Sequence, residues 1–145
     1  MTSLARLLIV LAAILAASVS AGAAAAKPAA AAGGLCNVAR GVAHDIVEST
    51  SVADGSVTAA KLKSTYLTIA HAEPALLAAA SGRNKVDLRR VFSFVNVVIA
   101  DFEKVAWRPG GITRYIPALL PRARKAELPI HRLGLYFRGT CKLDV

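Results

Sequence analysis

Apolar residues recur at steps of three and four along most of the chain beyond residue 34. Leu35, Val38, Ala39, Val42 and Ile46 form one face of an amphipathic helix, predicted over about 36–49. Ser49-Thr50-Ser51 and Asp54-Gly55 supply the turn that follows. Ser56 is a suitable N-cap for a second helix, whose apolar face is Leu62, Tyr66, Ile69 and Ala70 up to Glu73. Pro74 cannot continue the hydrogen-bond ladder, so a break or kink is expected there, with a short helical piece over 74–80. Ser81-Gly82 reads as its stop. The clearest stripe comes next: Leu88, Val91, Phe92, Val95, Val98, Ile99, Phe102, Val105 and Ala106. Asn84 or Asp87 is the expected cap, and Arg108-Pro109-Gly110-Gly111 the expected end. Phe94 and Val97 widen this face, which marks the segment as the central core helix.

The C-terminal third is less regular. Ile112, Tyr115, Ile116, Leu119 and Leu120 repeat helically, but Pro117 and Pro121 interrupt them, which predicts short pieces instead of one rod. Leu133, Leu135 and Phe137 alternate like a strand, whereas Ile130, Leu133, Phe137 and Cys141 repeat like a helix. A lone strand has no partner, so a helix over about 129–138 is expected, with Pro129 in its first turn. The predicted fold is a small all-α bundle of about four main helices plus short Pro-interrupted pieces.

The first 34 residues follow different rules. Arg6 precedes an unbroken apolar run, Leu7 to Ala17, and small residues follow as far as Ala26. That layout predicts a secretory signal peptide over residues 1–26, cut after Ala24-Ala25-Ala26 or after Ala21-Gly22-Ala23. The competing reading is a retained anchor, because 7–26 is about long enough to span a bilayer. Its second half is Ala and Ser, which insert weakly. Residues 27–34 read as a disordered Ala/Gly linker, and residues 35–145 as the helical domain. Of 30 alanines, 14 lie in the first 32 residues, so the hydrophobic fraction of 55% overstates the core.

Two cysteines remain after cleavage, Cys36 and Cys141, at opposite ends of the domain. Export implies an oxidising compartment, which predicts a disulfide between them. Free thiols and an intermolecular bridge are the alternatives. C-x-x-C spacing is missing, which argues against redox catalysis.

The features run from an early Cys36 through Tyr66 to Pro74-Ala75-Leu76, then Leu88 to Phe92-Ser93-Phe94 with Asp101 to Trp107, and Leu135-Tyr136-Phe137 ahead of Thr140-Cys141. That order resembles small secreted, two-cysteine, all-helical proteins of actinobacteria. The resemblance covers 36–145. It implies export and a helical fold and carries no functional residue. Mycobacterial haemophore-like proteins share the plan of signal peptide, helices and one disulfide, but their resemblance brings no haem-binding motif to this chain.

Charge is the strongest functional signal. Without Arg6 the chain holds 17 basic and 9 acidic residues, a net +8. Residues 27–81 are balanced, whereas 82–145 hold thirteen basic and five acidic groups. Between Lys104 and Lys142 only Glu127 opposes nine cations. The candidate anion-binding residues are Arg108, Arg114, Arg122, Arg124, Lys125, Arg132 and Arg138, with Arg122-Ala123-Arg124-Lys125 the densest cluster. Most are arginines, whose planar fork suits phosphate and carboxylate. For an exported protein the expected partners are an anionic lipid, an anionic wall polymer or an acidic protein, and not nucleic acid. The plainer reading is a solvated basic surface that aids solubility.

Little else points to chemistry. His44, His71 and His131 show no H-E-x-x-H spacing, although His44 and Glu48 share a helix face, so no metal is expected. The serines lack a G-x-S-x-G elbow. Asp101 and Glu103 are two apart on a helix and diverge; Asp101 is placed to pair with Lys104 or Arg108. Gly110-Gly111 reads as a helix stop, or as amides offered to an anion. Tyr66, Trp107, Tyr115 and Tyr136 either fill the core or line a pocket for haem or lipid. The sequence therefore predicts a binding or interaction module, not an enzyme, and no cofactor. The alternatives are a carrier of a hydrophobic or haem-like ligand and a purely structural secreted protein.

Overall fold

The computed structural model describes residues 30–50 and 58–143, with side chains at 34–45 and 58–143. The predicted signal peptide, residues 27–29 of the linker, Ser56 and the Ile46 and Glu48 side chains lie outside the described residues. Among those described there is no strand. The elements are α1 (Ala30–Thr50), α2 (Ala59–His71), α3 (Glu73–Ala79), α4 (Gly82–Glu103), a 3-10 segment (Pro109–Tyr115) and α5 (Ile116–Gly139). The all-α bundle of four main helices and short pieces is thus present, closed by the Cys36–Cys141 disulfide with the two Cα atoms 5.1 Å apart.

α1 starts at Ala30, so residues 30–34 are helical and not part of a disordered linker. Alanine is the strongest helix former, and a helix already committed downstream extends through it at little cost. α2 begins after Thr58, whose Oγ1 accepts a hydrogen bond from the Lys61 amide at 3.2 Å. Pro74 does break the ladder: α2 ends at His71 and α3 restarts at Glu73, joined through Ala72.

Ser81, extended at φ −132°, holds the N-cap position of α4, and Gly82 at φ +51° makes the turn into it. Asn84 and Asp87 are therefore inside the helix and cap nothing. α4 is the core element, as its stripe predicts: Leu88, Phe92, Val95, Val98 and Phe102 are all buried. It packs against α2, α3, the 3-10 segment and, most extensively, α5.

The end of α4 differs from expectation. The helix stops at Glu103, before Val105 and Ala106. Ala106 and Trp107 take left-handed backbone angles, φ +51° and +59°, a costly conformation for a residue with a bulky side chain. It turns the Trp107 indole back under the helix. Its amide donates to the Phe102 carbonyl at 2.9 Å, and its ring stacks on Phe102 with centroids 5.5 Å apart. Tyr66 completes this aromatic trio, and burial pushes its phenol pKa well up.

Gly111 lets the returning chain pass this turn. A Cβ there would sit 2.7 Å from Val105 Cβ. Both glycines lie inside the 3-10 segment, and Gly111 is where its backbone passes close against the Val105 side chain, with the Gly111 amide donating to the Arg108 carbonyl at 2.9 Å. Gly111→Ala should cost about 1–2 kcal/mol through overpacking. Gly110→Ala, which meets nothing within 4 Å, serves as the control. Thermal unfolding of the two variants checks this; equal midpoints would refute it.

α5 is the largest departure from the sequence reading. It is one continuous helix through Pro121 and Pro129, not a set of short pieces. Pro117 sits in its first turn, where no amide partner is needed. Pro121 and Pro129 each remove one ladder bond and crowd the carbonyl four residues back. Packing offsets that loss: Leu119, Ala123, Ala126, Leu133 and Phe137 are buried along one face, and Pro129 itself is fully buried. The end of α5 folds over through Lys142 at φ +57°, and the Leu143 amide donates to the Phe137 carbonyl at 3.1 Å.

Candidate functional site

Antiparallel packing of α4 on α5 leaves an open groove of roughly 650 Å³ along their seam. Its walls carry four cations, Arg89 and Arg90 from α4 and Arg122 and Lys125 from α5. Its floor is apolar, built from Phe94, Val97 and Ala126. The small Ser93 and Ala126 give the seam its depth. No carboxylate lines it. Helical spacing explains the gathering: Arg90, Phe94 and Val97 follow one line of α4, and Arg122, Lys125 and Ala126 one flank of α5.

A second groove continues past Val97 and Arg122, which the two share. It runs along Asn96, Asp101 and Lys104 to Tyr115. Lys104 Nζ donates to Asp101 Oδ1 at 2.7 Å, the first of the two pairings the sequence offers for Asp101. That hydrogen bond is the main cause of the raised Lys104 pKa. The Tyr115 ring carries Lys104 at 5.3 Å and Arg114 at 5.0 Å from its centroid. The polar end of the trough is therefore internally compensated, and the uncompensated positive end is the first groove.

The seven residues picked out by sequence separate. Arg122 and Lys125 face the groove. Arg124 is exposed but belongs to another face of α5, so the dense cluster does not act as a unit. Arg114 lies on Tyr115. The Arg108 Nε donates to the Val105 carbonyl at 3.2 Å. Arg138 stands near the C-terminal end of α5, away from both grooves. Arg132 is a correction: its fork is spent on Asp87, with Nε to Oδ2 at 2.7 Å and Nη2 to Oδ1 at 2.6 Å. Asp87 is 1% exposed. The Arg132 hydrogen bonds hold its carboxyl below the usual range, against an opposing push from burial, with Arg83 and Arg90 adding further positive potential.

Arg89 and Arg90 are not among the seven, because charge density along the chain singles out the stretch from Lys104 to Lys142. The available signal was an adjacent Arg pair at the edge of the core stripe, which places at least one of them beside the helix that packs there.

A separate apolar cavity of about 70 Å³ lies where α1 faces α4 and α5, lined by Ala39, Val42, Leu76, Phe92, Leu133 and Phe137 among others. Ligand sites for drug-sized molecules run to roughly 300–1,000 Å³. None of the three tyrosines or the tryptophan expected for a haem or lipid pocket lines it. Tyr66 and Trp107 are core, and Tyr136 packs edge-on against Phe137 at 5.7 Å. His44, His71 and His131 are exposed and away from it. Among the described residues no three His, Cys, Asp or Glu side chains converge as a metal site, and no helix is long and apolar enough to cross a membrane. No protein-family model, curated protein or solved structure matches this chain.

Proposed function

We propose that this protein is an exported helical binding module whose basic α4–α5 groove takes an anionic group of an envelope component or an acidic partner. The observation that carries the reading is the convergence of Arg89, Arg90, Arg122 and Lys125 over an apolar floor with no lining carboxylate. Two helices braced against each other hold these cations, so little ordering entropy is lost when an anion arrives. Low-dielectric walls beneath them strengthen their field towards solvent. Export is supported by the apolar N-terminal run and by the disulfide, which persists in oxidising compartments. The groove is favoured over the apolar cavity as the ligand site, because the cavity is several times smaller than a haem or lipid site requires.

Retention on host envelope preparations, with polyphosphate as the isolated probe, tests the groove. Replacing Arg90, Arg122 and Lys125 by Ala together should weaken binding at least tenfold and flatten its salt dependence. Arg124→Ala, outside the groove, should change polyphosphate binding less than twofold. Unchanged polyphosphate binding in the triple variant would sink the reading. Intact mass of the protein recovered from its host tests export: a chain starting near Lys27 and two hydrogens light is the expected result.

A further inference from the structure

We infer that the outward face of α5 lies on an anionic lipid surface. Leu120, Leu128 and Leu135 are 36%, 59% and 53% exposed, an unusual set of large apolar side chains to leave in water on a single helix. At 3.6 residues per turn, steps of eight and seven residues keep them within about 80° of one another around that helix, on one face over about 22 Å of its length. Arg124 lies between the first two and His131 between the second two, both exposed. The face is opposite the buried Leu119, Ala123, Ala126 and Leu133, so the bundle does not use it.

Charge and spacing decide what covers it. α5 carries Arg122, Arg124, Lys125, Arg132 and Arg138 against the single Glu127. A second copy of the chain would bring like charges face to face, which disfavours self-association. A protein partner would have to bury Arg124 and His131 along with the leucines, because they alternate along the same face, and interface cores exclude charge. A lipid interface sets no such condition. Leucines enter the acyl boundary one by one, while arginine stems lie along them and the guanidinium reaches the headgroup phosphates. The described helices are too short or too polar to span a bilayer, so the geometry is that of a helix lying along the surface. This inference rests on the proposed function only in placing the protein where an envelope lipid is met; it uses a different face from the groove.

The test is a local fluorescence probe in the full chain. Leu128→Trp should shift to the blue on phosphatidylglycerol-containing vesicles and be quenched by brominated acyl chains. At least a tenfold higher concentration of pure phosphatidylcholine vesicles should be needed for the same shift. Arg124→Glu in that background should weaken the response about tenfold. Ala60→Trp, exposed on α2, should show neither effect. No shift of Leu128→Trp on anionic vesicles overturns the inference, as does an equal shift of Ala60→Trp, which would mean another segment holds the chain to the bilayer. The same shift with polyglutamate, or on concentrating the protein without vesicles, overturns the choice of lipid. Loss of polyphosphate binding in the groove variant with the vesicle response intact separates the two surfaces; a failure of either test leaves the other reading standing.

Discussion

Removing the Cys36–Cys141 disulfide should lower the unfolding free energy by as much as about 4–5 kcal/mol, the largest effect of any change considered for this molecule. The bridge closes a loop with a sequence separation of 105. In the chain-entropy picture, the unfolded chain regains on reduction the freedom that so long a closure denied it. A domain of this size is stable by about 5–15 kcal/mol in total, so the bridge supplies a large part of the margin. The structure also says where the loss is felt. α1 packs chiefly on α2 and α3. Its face towards α4 and α5 borders the apolar cavity instead of a filled interface. What binds α1 to the end of α5 is the disulfide, with the Arg40 Nη2 donating to the Cys141 carbonyl at 3.3 Å. Both cysteines are buried, so the Cys36→Ala/Cys141→Ala variant is the cleaner instrument than a reductant. Urea unfolding should show the midpoint fall, and hydrogen exchange should show α1 amides losing protection ahead of those in α4. A loss below about 1 kcal/mol, with α1 still protected, would mean that the packing of α1 is self-sufficient.

Helical periodicity made α2 and α4 legible because their apolar residues are dense and the breakers, Pro74 and Gly82, stand at real junctions. The same rule failed on α5. Pro121 and Pro129 signal interruption only when nothing else holds the helix, and the long apolar seam with α4 holds it. The Trp107 turn was hidden for a related reason. Val105 and Ala106 continue the helical pattern of α4, yet packing of the indole on Phe102 outweighs the left-handed strain, and no local signal encodes a contact made after the chain reverses. The disulfide was readable from cysteine count and the expected compartment. The groove was half readable: net charge located the basic half of the molecule, but the gathering of Arg89 and Arg90 with Arg122 and Lys125 depends on how α4 and α5 are registered. That register involves a pair the sequence did not suggest, since Asp87 looked like a cap and Arg132 like a free cation.

That pair carries the second large prediction. Asp87→Ala should destabilise the protein by roughly 3 kcal/mol, the lower end for breaking a buried ion pair, because Arg132 keeps some access to water. Arg132→Met should also destabilise, by leaving a carboxylate enclosed without a partner. The double change Asp87→Leu/Arg132→Met should recover most of the loss, since an apolar pair of similar bulk needs no desolvation of charge. The pH dependence has a definite sign. Folding holds the Asp87 carboxyl below its ordinary value of 3.8, so its contribution is complete above that value and is lost as the pH falls through the lower folded value. Wild type should therefore exceed Asp87→Asn in stability from neutral pH down to about 4. The gap should close in more acid solution, as the wild-type carboxyl takes up its proton and comes to resemble the amide. Urea unfolding of both proteins across pH 7 to 2.5 measures the gap directly, and a constant gap would show that Asp87 acts through shape and not through charge. Asp87 is one turn from Arg90, and Arg132 two turns from Lys125. A bidentate bond there fixes the sliding of α4 along α5, so the Asp87→Asn variant should also bind polyphosphate more weakly at neutral pH, although neither residue lines the groove.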